Sequence, residues 1–117
     1  MPVGDAHEPM RERLIESARA LKLGDGLEPG VTMGPVISGK HRERVLGYVD
    51  QGVKEGARLA LDGRTLPAPS DGFFVGPTVF DDVNPEMVIG RDEIFGPVAG
   101  IHRRGSRRRR LARRCAR

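Results

Sequence analysis

Glycine or proline stands at 25 of the 117 positions, 16 and 9 respectively, recurring from Pro2 to Gly105. Backbone punctuated this often is held to short elements joined by turns, because glycine weakens helices and strands and proline removes a backbone donor. Four Phe, one Tyr and no Trp supply few large side chains with which to seal a core. A chain of this size has room for one small domain. No run of 18 apolar residues occurs, so no membrane-spanning helix is expected, and MPVGDAHEPM lacks the basic-then-apolar order of a secretory leader. The single Cys, Cys115, leaves no internal disulfide and no cysteine zinc cage. The expectation is one soluble, cytoplasmic domain.

The formal net charge of +4 joins two unlike pieces. Residues 102–117 carry nine Arg and no acid, whereas the other 101 residues hold 11 basic and 16 acidic side chains, a net of −5. The high isoelectric point therefore belongs to the tail. Two regions are expected: a mildly acidic body, residues 1–101, and an Arg-rich tail, residues 102–117, disordered or irregular and outside the fold.

Within the body, Met10, Leu14, Ala18 and Leu21 recur at spacings of four and three, predicting an amphipathic helix over 8–23 stopped by Gly24 and Gly26. Ser38 is a plausible N-cap for a second helix over 39–55, with an apolar stripe of Val45, Leu46, Val49 and Val53. Ala57, Leu59 and Leu61 alternate with Arg58, Ala60 and Asp62, which reads as a strand. Residues 73–80 read as extended, with Pro77 demoting them to an edge or an irregularity. Met87–Ile89 reads as extended and Val98–Ile101 as a further strand. The fold class is α/β: two helices and several short strands, too few to close a sheet. Val45, Val49 and Val53 are accordingly expected to be partly exposed and the chain poorly stable alone.

Candidate chemistry is sparse. The glycines of Gly24–Gly30 follow a helix instead of preceding one, so they read as a helix stop and not as a phosphate cradle. Cys115 lies among arginines that would lower its pKa, but nothing frames it as a nucleophile. His7, His41 and His102 lack metal-ligand spacing and read as solvated; no metal site is expected. Asp92-Glu93 before Ile94-Phe95-Gly96-Pro97-Val98 is different. A carboxylate beside such a turn can accept both hydroxyl hydrogens of a ribose.

Six blocks then occur in order: ARALKLGDG (18–26), MGPVIS (33–38), HRERVLGY (41–48), GVKEGA (52–57), GFFVGPTVF (72–80) and EIFGPV (93–98). From Pro9 to Ile101 the chain resembles part of the catalytic domain of the NAD(P)-dependent aldehyde dehydrogenase family. The wording is most similar to its acylating methylmalonate-semialdehyde branch. The resemblance implies that Glu93 holds the nicotinamide ribose hydroxyls and that Phe95 lies beside that ribose, together orienting the ring for hydride transfer. His41 stands where many relatives carry a Gln touching the adenosine ribose, a departure that weakens this contact. The implied cofactor is NAD, with coenzyme A as co-substrate in that branch, a small-molecule aldehyde as substrate, and a homo-oligomer as the assembled enzyme.

In relatives the nucleophilic Cys and the Rossmann domain lie upstream of the segment matched here, so the chain is expected to contribute no catalytic residue and to be inactive alone. The tail departs from the family after Ile101. One permitted coding of Leu111–Arg117, shifted by one base, reads Ser-Leu-Asp-Asp-Ala-Leu, similar to the helix start of relatives; the tail is therefore read as out-of-frame translation, which resequencing the locus would test. The alternative is a small protein whose tail binds nucleic acid or an acidic partner. With no aromatic residue in the tail, any such binding should be sequence-blind. In fluorescence titrations, affinity for duplex DNA should collapse on raising salt from 50 to 200 mM (roughly a thousandfold or more if six phosphates are neutralised). It should vanish when residues 102–117 are removed, and salt-insensitive binding would contradict this reading.

Overall fold

The computed structural model describes Pro2 and residues 4–102; Cys115 and the tail from residue 103 lie outside the described residues. A 3-10 turn, Gly4–Ala6, leads into helix α1, His7–Arg19. Its apolar spacing turns Ala18, Leu14 and Ile15 toward the sheet. The helix stops at Arg19, short of the expected Leu23, and Leu21 N–H closes it on the Ala18 carbonyl. Gly24 and Gly26 are thus not its cap. They belong to a return loop in which Leu23 bridges Met33 and Gly24 N–H donates to the Met33 carbonyl at 3.1 Å.

Helix α2, Gly39–Lys54, starts as its sequence predicts, with the Ser38 hydroxyl accepting from His41 N–H at 3.1 Å. Three strands follow: β1, Arg58–Leu61; β2, Thr78–Asp81; and β3, Val98–Gly100. They lie in the order β1-β2-β3, with β1 antiparallel and β3 parallel to β2. Pro77 therefore adjoins the central strand and not an edge. It is tolerated because β2 begins one residue later, at Thr78, whose N–H donates to the Pro97 carbonyl at 2.9 Å. Met87–Ile89 is not extended either; Val88–Arg91 forms a single turn, α3. The Glu55 carboxylate at the end of α2 accepts the Val88 N–H at 3.0 and 3.2 Å, a capping contact from 33 residues away.

The sheet is covered on both faces. Val79 packs with Ala18 and Leu61 on the α1 side, while the adjacent Phe80 packs with Val49 and Ala57 on the α2 side, the two-residue alternation of a strand. Strand β1 breaks that alternation. Leu59 pairs with Phe80 and Leu61 with Val79, so an extra residue bulges at Ala60 and sends Leu61 to the face opposite Leu59. The uniform apolar face expected of Leu59 and Leu61 is corrected accordingly. The expected exposure of the α2 stripe is corrected as well, since Val45 and Val49 are fully buried and only Val53 is half exposed. Among the described residues, no helix is long and apolar enough to cross a membrane.

His7 is the plainest departure from expectation: it is 2% exposed, not solvated. Its Nε2 lies 2.9 and 3.1 Å from the two carboxylate oxygens of Asp81, which also accepts from Arg11 at 3.1 Å and from Asp82 N–H at 2.8 Å. Asp81 faces α1 on the same side of β2 as Val79, so this cluster ties the helix to the central strand. Burial pushes the Asp81 carboxyl upward, but its hydrogen bonds from Asp82 N–H, His7 and Arg11 outweigh this and hold it below the usual aspartate value. A depressed carboxyl contributes stability that is complete above its unfolded value, about 3.9, and is lost as pH falls through the folded one. Asp81→Asn should lower the urea midpoint at pH 7, by roughly 2 kcal/mol in stability, because it leaves buried donors poorly matched. It should also flatten the loss of stability on acidification from pH 5 to pH 2. An unchanged acid profile would show that Asp81 is not the group being titrated.

Candidate functional site: the 92–97 loop on helix α2

The loop joining α3 to β3 belongs to none of the strands among the described residues. Ile94 is 9% exposed and enters a cluster with Val45 and Val75, which turns the flanking Glu93 and Phe95 outward. Phe95 is 72% exposed. Its backbone sits at φ +55°, a left-handed conformation that bulky residues adopt only when their surroundings impose it. At Gly96 the loop meets α2 so closely that an added Cβ would lie 2.7 Å from Val45 Cγ2 and 2.9 Å from its Cγ1. Only glycine fits there.

Helix α2 grips this loop with a second stripe. His41, Arg44 and Tyr48 recur at spacings of three and four, on the face beside Val45. His41 Nε2 donates to the Phe95 carbonyl at 2.7 Å, and Arg44 Nη1 donates to the Ile94 carbonyl at 3.2 Å. Tyr48 donates its hydroxyl to the Asp92 carboxylate at 3.2 Å. The Arg44 guanidinium lies over the Tyr48 ring, 5.2 Å from its centroid, so the two grips brace each other.

The acidic pair is thereby divided. Asp92 is engaged by Tyr48, whereas both Glu93 oxygens lack a hydrogen-bond partner among the described residues, and Glu93 is exposed. An outward carboxylate with unused acceptors next to an exposed ring, both on a loop held from behind, fits a vicinal diol attached to a planar ring. A nicotinamide ribose has that chemistry. The structure brings together the three sequence-derived candidates Glu93, Phe95 and His41, the last through the Phe95 backbone. Arg44 and Tyr48 were missed. Their spacing along α2 was available in the sequence, but their partners are backbone and side-chain groups more than 40 residues away.

His7, Asp81 and Asp82 offer ligand atoms within 4.8 Å of one another. Asp81 already faces the Arg11 guanidinium, which supplies the positive charge there. Gly24–Gly30 lies in the return loop after α1, where Leu27 N–H donates to the Asp25 carboxylate at 3.0 Å, and the next helix begins only at Gly39.

The Aldehyde dehydrogenase family profile matches residues 3–108. Malonate-semialdehyde dehydrogenase 2 of Bacillus mycoides is 51% identical over 100 residues, covering 85% of this chain and 21% of that protein. A crystal structure of methylmalonate-semialdehyde dehydrogenase from Oceanimonas doudoroffii superposes with a TM-score of 0.83 at 36% identity, over 94% of this chain and 23% of that one. An NAD+ complex of aldehyde dehydrogenase from Bacillus cereus gives 0.80 at 43% identity, over 92% and 21%. The chain thus spans about a fifth of the length of the curated relatives it matches. With the family profile matching residues 3–108 and the described fold superposing on solved aldehyde dehydrogenases, the chain belongs to the aldehyde dehydrogenase family.

Proposed function

We propose that this chain is the part of an NAD-dependent semialdehyde dehydrogenase that grips the nicotinamide ribose, with Glu93 and Phe95 as its contacts. The observation that carries this is the Glu93 carboxylate, exposed beside the buried Ile94 and with neither oxygen bonded among the described residues. Bound NAD supplies the hydride acceptor. Glu93 would accept the two ribose hydroxyls, and Phe95 would limit rotation of the ring beside it; both act by positioning and make no bond. His41 Nε2 is committed to Phe95, so a contact with the adenosine ribose would fall to Nδ1.

The substrate in this reading is a small semialdehyde, supported by relatives named malonate- and methylmalonate-semialdehyde dehydrogenases. Transfer of the acyl group to coenzyme A rests on the branch resemblance alone. The reading also takes residues 1–101 as the catalytic-domain part and 102–117 as a tail outside it, supported by the change from a net of −5 to nine Arg and no acid at that point. A homo-oligomeric, cytoplasmic enzyme completes it, consistent with a single cysteine in the chain.

In an intact aldehyde dehydrogenase carrying residues 9–101 of this chain, Glu93→Gln should slow the hydride step by about one to two decades. The amide keeps the shape but loses an acceptor and the charge-assisted strength of the contact, about 1.5–3 kcal/mol. The reactivity of the enzyme thiol, which adds to the aldehyde before any hydride moves, should be unchanged. Pre-steady-state NADH formation measures the first and the rate of thiol alkylation by iodoacetamide the second; an unchanged NADH rate would return Glu93 to a surface carboxylate. The 117 residues on their own should reduce no NAD with any aldehyde, by absorbance at 340 nm.

A further inference from the structure

We infer that His41 is a positioning residue for the nicotinamide half of the cofactor, acting through the Phe95 backbone and not by touching the adenosine half. The inference rests on the ribose-gripping reading of Glu93 and Phe95.

Phe95 holds a left-handed backbone, φ +55°, and the residue is 72% exposed, so its own packing does little to fix this conformation. Something else must hold it. Two constraints act on the residues either side: Ile94 is buried and its carbonyl accepts from Arg44 at 3.2 Å, while Gly96 abuts Val45. Among the described residues, the one hydrogen bond to Phe95 itself comes from His41, at 2.7 Å, the shortest of those between α2 and this loop. His41 is in turn placed by the first turn of α2, where its N–H is capped by Ser38. The Nε2–H donor exists in the imidazolium and in one neutral tautomer, and a carbonyl acceptor selects that tautomer. Without the donor, Phe95 is free to relax toward ordinary φ, and its ring then changes direction relative to Glu93, two residues before it.

The test uses the same intact enzyme carrying residues 9–101, with His41→Ala and His41→Gln compared. His41→Ala is expected to slow NADH formation about three- to tenfold, the scale of one lost hydrogen bond. Inhibition by AMP, which occupies only the adenosine half, should be unchanged. His41→Gln, whose amide N–H reaches a similar point, should restore most of the rate. Weaker AMP inhibition in His41→Ala, matching its loss of rate, would instead make His41 a direct adenosine contact and overturn the proposal. An unaffected rate in His41→Ala would overturn it while leaving the ribose reading intact, provided Glu93→Gln still slows the hydride step. Silence of both variants would bring down the ribose reading and this proposal together. Should His41→Ala fail to fold, the 15N shifts of the His41 ring in the unsubstituted enzyme decide: a neutral ring protonated at Nδ1 overturns the proposal, and one protonated at Nε2 supports it.

Discussion

The contact of the 92–97 loop with helix α2 at Val45 is the constraint on which the site depends. Val45 is fully buried beneath Ile94 and Gly96, and the close approach at Gly96 leaves no room for a side chain. Burying Ile94 removes apolar surface from water and anchors the loop there, while the residues on either side stay outside. Glu93 and Phe95 are therefore exposed as a consequence of packing behind them. The outward surface of the loop is built from its reverse side.

Helix α2 serves two surfaces at once. Val45 and Val49 face the sheet and the loop seat, while His41, Arg44 and Tyr48 hold the loop by its carbonyls and by Asp92. Backbone carbonyls make good handles because they leave the side chains of Glu93 and Phe95 uncommitted. A rigid helix with a fixed N-cap then sets the loop more tightly than the loop could set itself. The opposite face of the sheet has a separate tie, the His7–Asp81–Arg11 cluster, which fastens α1 to the central strand without reaching the loop.

Much of this was legible in the residues. The two helices follow from the spacing of Leu14 and Ala18 and of Val45 and Val49, the start of α2 from Ser38, and the β3 strand from the apolar run at Val98. Periodicity reports such features because a neighbouring turn or strand residue decides them. The outward positions of Glu93 and Phe95 follow from the burial of Ile94 between them, whereas the role read for them comes from the EIFGPV block and its family resemblance alone. His7 was misjudged because burial of a histidine depends on a partner, here Asp81, 74 residues away. The same distance problem hid the short α3 turn, whose N-terminal donor is satisfied by Glu55 from another helix.

The sequence by itself determined the two helices, their apolar faces, the turn-rich joints and the family. Each is a local pattern or a match of ordered blocks. Only the tertiary structure decided that β2 lies at the centre despite Pro77, that a bulge at Ala60 sends Leu61 to the α1 face, and that His41 spends its Nε2 on the Phe95 carbonyl. Those outcomes depend on which distant groups meet, and a donor, an acceptor or a cavity for a side chain exists only once the chain has brought both halves together.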